Sequence, residues 1–421
     1  MTTHGPDVAP GLSRACAIAC ASYAAAVIAV AALGVMGDSR PESIAAARLH
    51  FTHEQIDAGA AFARMGIVSG ALYQLALVAG LALAVAHGLD MKLAARIGAS
   101  IRSGVAATAL SWTALYAAMA LISLPHALYA GYYRSSIFGL MSTDLGTWLA
   151  RWCAAKLISI AIAASAATVL TLILAHTKRA RIYLPAAVLC IGLALSYALP
   201  RVVTPLFYTT APIAPGAQRD RITALAAKSG MAVEEIFVIE KSAYSLEANA
   251  YFIGAGATGR IYLYDTLLKA FRDNEVALIV AHELCHFREE HALLGLLLWS
   301  IGLALAFPLG DRLARAATGV PLRELAGAHR YAALTFMVVI ASFAARPLEN
   351  GVSREMERRC DRYAIALTRD PDGFVAMQRR LAAANRSSVL PHPAHAWITR
   401  SHPPVLERIS LADEHRARDG R

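Results

Sequence analysis

Hydrophobic and polar positions divide this chain into long, unbroken apolar runs and shorter stretches that alternate. Five apolar runs come first, at about 15–36, 66–86, 104–124, 157–175 and 183–199. Each is close to the ~20 residues that a helix needs to cross the hydrocarbon core, so each predicts a membrane span. The first exceeds the apolar core of a signal peptide, which predicts an uncleaved span. From about 201 to 273 the character changes. Ile222, Leu225 and Ala226 share one helical face that ends at Gly230, and 236–239, 249–253 and 260–264 have strand composition. A helix is predicted from Asp265 and a longer one from about Asn274. Two further apolar runs, 293–309 and 331–345, are shorter and predict tilted crossings. The pattern predicts a mainly α, polytopic membrane protein: residues 1–204 form a five-span membrane domain, and 205–421 an α+β domain with two more spans, seven in all.

Composition agrees with that pattern. Of 421 residues, 57% are hydrophobic and 17% charged, which a water-soluble protein rarely shows. The formal charge of +10 is spread without an aromatic-interleaved basic stripe, so lipid headgroups are the expected partner and nucleic acid is not. The six cysteines have no disulfide-framework spacing. Basic residues divide evenly between the loops of the two sides, so charge does not orient the bundle.

The candidate chemistry lies in Ala281-His282-Glu283-Leu284-Cys285-His286, an HExxH stretch. Four residues apart on a helix, His282 and His286 share a face and can bind one metal ion. Glu283 is placed to act as general base toward a metal-bound water. A catalytic zinc needs a third protein ligand and a vacant position. Glu357 is the candidate, with Asp361 one turn later able to accept a hydrogen bond from a ligand histidine. The residues alone equally allow both carboxylates to pair with Arg354, Arg358 and Arg362 on a solvated face. His291, His392 and His395 are read as non-ligands, because three ligands already leave the open position. Cys285 and Cys360 are read as small buried apolar side chains. The run 254–259 spells GxGxxG, but a strand-like segment follows it where a dinucleotide fold needs a helix, so a hairpin loop is predicted.

Taken together, AHELCH, SREMERRCDRYA (353–364), SLEANAYFIG (245–254), IYLYDTLL (261–268) and SHPPVLER (401–408) resemble the integral-membrane CAAX prenyl protease type 1 family, HExxH zinc metalloendopeptidases of the gluzincin type. The resemblance implies seven helices around an intramembrane chamber, capped by a zincin-like metallopeptidase domain. It implies one zinc ion per chain on His282, His286 and Glu357, with Glu283 as base and Asp361 supporting a ligand. Asn249 and Ala250 match the strand edge along which substrate lies. His402 and Arg408 match residues that steady substrate or the tetrahedral intermediate; read by themselves they would be a loop histidine and a surface charge. The implied partner is a peptide or lipidated protein, the implied state a monomer, and the implied orientation has the peptidase domain facing the cytoplasm. Two other readings compete. A heat-shock-type membrane quality-control metalloprotease has about half as many spans before its motif, and a catalytically silent chaperone or scaffold does not require the complete His282, Glu283, His286 and Glu357 set.

Overall fold

The computed structural model describes residues 10–231, 235–253 and 260–419. Among them, seven helices are long and apolar enough to cross a membrane: Arg14–Met36, His53–His87, Gly104–Ile137, Leu145–His176, Ala180–Phe207, His291–Thr318 and Tyr331–Thr368. They coincide with the seven predicted runs but extend well beyond several of them. The last two, predicted over 293–309 and 331–345, are helices of 28 and 38 residues. Apolarity marks only the part at membrane depth, whereas helical hydrogen bonding continues through Arg, Glu and Met, which are good helix formers. Glu357 therefore stands on the same continuous helix as the last span.

The bundle packs through small residues and a few large ones. Tyr23 and Val27 of the first span, Leu77, Val78 and Leu81 of the second, and Ala332 and Phe336 of the seventh form one buried cluster. After Pro125 the third span widens into π-helical turns over Ala127–Tyr133, a known response of a helix to an interrupted hydrogen-bond ladder. The chain then turns at Gly139, whose φ of 70° suits glycine, and Met141 forms an antiparallel bridge with Ser245. That bridge joins the membrane half to the α+β half.

The sheet has four strands: β1 (Thr210–Pro212), β2 (Glu235–Ile239), β3 (Ala250–Ile253) and β4 (Arg260–Tyr264). Their order is β1-β2-β4-β3, with β2 and β4 parallel and both outer pairs antiparallel. β1 was not predicted, being three residues long and ending in proline. The GxGxxG run itself lies outside the described residues, but β4 follows it as a strand, paired with Ala250 opposite Leu263 and Ile253 opposite Arg260. The helix Asp273–Arg288, which carries the HExxH motif, lies between the sheet and the last spanning helix. Ile261 and Leu263 of β4, Val276, Leu278, Val280 and Leu284 of the motif helix, and Ala364 and Ile365 of the last helix are all fully buried together. Burying this apolar layer is what gives the second half its own core.

Candidate metal centre and active site

The motif helix begins with a capping contact from its own first turn. The Arg272 N–H donates to the Glu275 carboxylate at 2.8 Å, and Asp273 and Glu275 place negative charge in the first turn. One turn apart near its other end, His282 and His286 bring their Nε2 atoms to 3.1 Å of each other. Glu357, from the last spanning helix, approaches the same point, with Oε2 3.2 Å from His282 Nε2 and Oε1 3.3 Å from His286 Nε2. Tetrahedral ligation with bonds of about 2.1 Å spaces its donors by roughly 3.4 Å. The triangle of two imidazole nitrogens and one carboxylate thus fits a single zinc-sized ion, and its donor types suit zinc. The electrostatics agree. Burial works against a charged His282, yet hydrogen bonds to Asp361 and Glu357 outweigh it and raise its pKa to about 10. Two buried carboxylates beside one imidazole call for positive charge there.

Each histidine is oriented through its other ring nitrogen. His282 Nδ1 lies 3.0 Å from Asp361 Oδ1, and Asp361 is fully buried. Arg408 donates to both oxygens of that carboxylate, from Nε at 2.8 Å and Nη2 at 2.6 Å. His286 Nδ1 instead meets His291 Nδ1 at 2.9 Å, and His291 Nε2 is 3.1 Å from Glu289 Oε2. A left-handed residue, Glu290 with φ 50°, turns the chain between the two helices and delivers His291 to this spot. Cys360 Sγ lies 3.8 Å from His291 Nδ1, so His286, His291 and Cys360 are also mutually close. A contact of 2.9 Å between two imidazoles has hydrogen-bond geometry, with a proton between the rings. His291 is therefore a partner of His286 rather than a fourth arm of the triangle, and this is the contact that sequence reasoning missed. A histidine five residues after His286, where the motif helix breaks, was the available signal.

The remaining predicted residues are placed as follows. Glu283 sits on the motif helix between the two histidines, where burial raises its carboxyl pKa and the neighbouring His282 and His286 oppose the rise. His402 brings Nδ1 to 2.8 Å from Glu357 Oε2 while staying 62% exposed in its side chain, so it stands at the solvent side of the cluster. Arg408 differs from expectation: its guanidinium fork is engaged by Asp361, at the far side of His282 from the converging donors. The alternative of a solvated ion-pair face does not hold for Glu357 and Asp361. Arg358 pairs with Glu407 and Glu355, and Arg354 donates to the carbonyls of Ala396, Trp397 and Arg400. His395 packs against Gly34 of the first span, away from the cluster. Cys285 and Cys360 are buried free thiols. Ala250 opens β3 at the edge of the sheet, and the Phe252 ring rests on Phe287, the residue after His286, with centroids 4.1 Å apart. That contact ties the strand edge to the end of the motif helix that carries His282 and His286.

Two family models match the chain. Residues 216–416 match the family model of peptidase family M48, and residues 41–209 match that of the CAAX prenyl protease N-terminal region with five membrane helices. The uncharacterized metalloprotease YhfN of Bacillus subtilis is 29% identical over 248 residues, 58% of each chain. The CAAX prenyl protease 1 homolog of Arabidopsis thaliana is 29% identical over 240 residues, 55% of each chain, and the CAAX prenyl protease 1 of Saccharomyces cerevisiae is 27% identical over 234 residues, 51% of each. The matched region spans about half the length of these relatives. The crystal structure of S. mikatae Ste24p superposes with a TM-score of 0.82 over 97% of this chain and 100% of that one. At 18% identity this is a likeness of fold.

Proposed function

The chain belongs to the integral-membrane CAAX prenyl protease type 1 family, within peptidase family M48, and from that premise we propose that it is a membrane-embedded zinc endopeptidase. Its reaction is hydrolysis of a peptide bond near the C-terminus of a prenylated, CAAX-type, or other membrane-delivered peptide or protein. The supporting observation is the convergence of His282 Nε2, His286 Nε2 and the Glu357 carboxylate, whose Oε2 lies 3.2 Å from the first nitrogen and Oε1 3.3 Å from the second, next to Glu283. Zinc bound there would supply a Lewis acid for the scissile carbonyl and would acidify a water.

The protein's own groups do the rest. Glu283 takes the proton from the attacking water and returns it to the leaving amine. Asp361 holds the His282 ring with Nε2 facing the other donors, and Arg408 holds Asp361 as the carboxylate, which makes Arg408 a positioning residue. His402, exposed beside Glu357, is the donor available to a developing oxyanion. The β3 edge, with Asn249 and Ala250 at its start, offers backbone groups to an extended substrate. In this reading residues 1–204 guide a lipid-attached substrate, 205–421 carry the chemistry from the cytoplasmic side, and the monomer is the working unit.

The test is metal analysis of the purified protein followed by peptidase assays. One zinc per chain is expected, and Glu283→Gln should keep the metal while lowering cleavage by about 10²–10⁴-fold. Bound zinc without any Glu283-dependent cleavage would indicate a silent scaffold instead. Comparing one peptide with and without a C-terminal prenyl-cysteine decides the lipid: equal rates would remove it from recognition.

A further inference from the structure

The free side of the strand that contains Asn249 and Ala250 is already partly occupied by the chain itself. The Asn249 carbonyl accepts from the Tyr264 N–H of β4 at 3.0 Å, and the Glu247 carbonyl accepts from the Thr266 hydroxyl at 2.7 Å. Backbone groups alternate in direction along a strand, so residues 248, 250 and 252 face away from the sheet. Further back in the same segment, Leu246 N–H donates to the Leu140 carbonyl at 2.9 Å, and Ser142 N–H donates to the Tyr244 carbonyl at 3.4 Å. At the next place in the row stands a side chain. Asn385 Oδ1 accepts from the Ala248 N–H at 2.9 Å, and Asn385 Nδ2 donates to the Ala248 carbonyl at 3.0 Å. Those are the two bonds that one residue of an added strand would make. Beyond it, the Ala250 N–H is met by the Asn249 side chain at 2.9 Å. The Ala250 carbonyl and both backbone groups of Phe252 have no partner among the described residues.

We propose that residues 140–142 and Asn385 act as a ruler: they stand in for a strand along this edge and stop a bound peptide at Ala248. An extended substrate then lies only from Ala250 onward. The inference rests on the peptidase reading and adds to it a limit on length. The stop is firmly built. Ala248 is 3% exposed, and Asn385 ends the helix Pro371–Ala384 just before left-handed Arg386, whose Nε reaches the Phe138 carbonyl at 3.4 Å. Its two parts come from the membrane half and the C-terminal half and are joined where Arg386 reaches Phe138. The open part of the row lies beside the metal ligands, through Phe252 on Phe287. Both bonds at Ala248 go to one residue and the bridge beside it is antiparallel, so a peptide continuing that row runs antiparallel to β3 and the closed end receives its C-terminal residues. Asn249 is the one group that an arriving peptide displaces from the open stretch.

The test uses the full-length, zinc-loaded protein in lipid and two sets of unlipidated fluorogenic peptides that share a core. One set is lengthened residue by residue at the C-terminus, the other at the N-terminus. In wild type the rate should drop about tenfold at one step of the C-terminal set, the scale of one or two lost backbone hydrogen bonds, and Asn385→Ala should shrink that drop to within about threefold. A step that is absent, that lies only in the N-terminal set, or that Asn385→Ala leaves unchanged would overturn the ruler alone, provided cleavage depends on Glu283. No Glu283-dependent cleavage of either set would overturn the peptidase reading and the ruler with it. If Asn385→Ala does not retain metal, Asn385→Asp serves in its place, since it keeps the acceptor for the Ala248 N–H and loses the donor to the carbonyl.

Discussion

His286 and His282, the two histidines proposed as ligands, differ in their support, one leaning on a histidine and the other on a buried carboxylate. Removing such a partner usually weakens metal binding by about 10–100-fold, so His291→Ala should do so in competition with a chelator. His291→Gln, whose amide oxygen can still accept from His286, should recover much of the loss. A second histidine gives a pH signature. Burial, then Arg400 and His392, lower the pKa of His395 to about 4, while in the unfolded chain it is near 6.5. The unfolded state takes the proton first as pH falls, so the stability from neutral His395 is complete above about 6.5 and is lost toward about 4. Thermal unfolding across that window should fall more steeply for wild type than for His395→Phe, and parallel curves would refute the assignment. At this scale the sequence was legible wherever spacing carries geometry. The i, i+4 step of His282 and His286 needed no structure. Whether Glu357 faces the motif or lies on a surface ion-pair face did, because it depends on which side of a helix 71 residues beyond His286 is turned toward the histidines. The fork of Arg408 on Asp361 is a tertiary contact with no local signature.

Helices reveal their existence more readily than their ends. All seven long apolar helices were legible from hydropathy, yet the last two proved far longer than their apolar cores. The short strand β1 and the Asn385 cap on Ala248 were not, since neither periodicity nor composition records which distant segment pairs with an edge. Close packing between elements was hidden in the same way. A Cβ on Gly59 would lie 2.4 Å from the Ser387 carbonyl oxygen, a backbone atom that cannot rotate away. Gly59→Ala should therefore push the second span off the loop after Pro371–Ala384 and cost about 1–3 kcal/mol in unfolding, whereas alanine normally favours a helix. Unchanged stability would show that this loop yields freely.

Across the whole molecule, the three proposed metal ligands come from two helices with different surroundings. The motif helix packs in the core of the α+β half, and Glu357 stands on a helix that is also long and apolar enough to cross a membrane. At 1.5 Å per residue the 38-residue helix Tyr331–Thr368 is about 57 Å long, nearly twice the ~30 Å hydrocarbon thickness. We propose that such a rod works as a lever, with its apolar lower arm among acyl chains and its upper arm holding Glu357 beside His282 and His286. A thinner or thicker bilayer changes the tilt of the lower arm, and the upper arm must follow. Peptidase turnover in vesicles should therefore pass through an optimum as acyl-chain length is varied, while zinc content stays constant. A flat response would mean that Pro347 works as a joint and isolates the chemistry from the lipid.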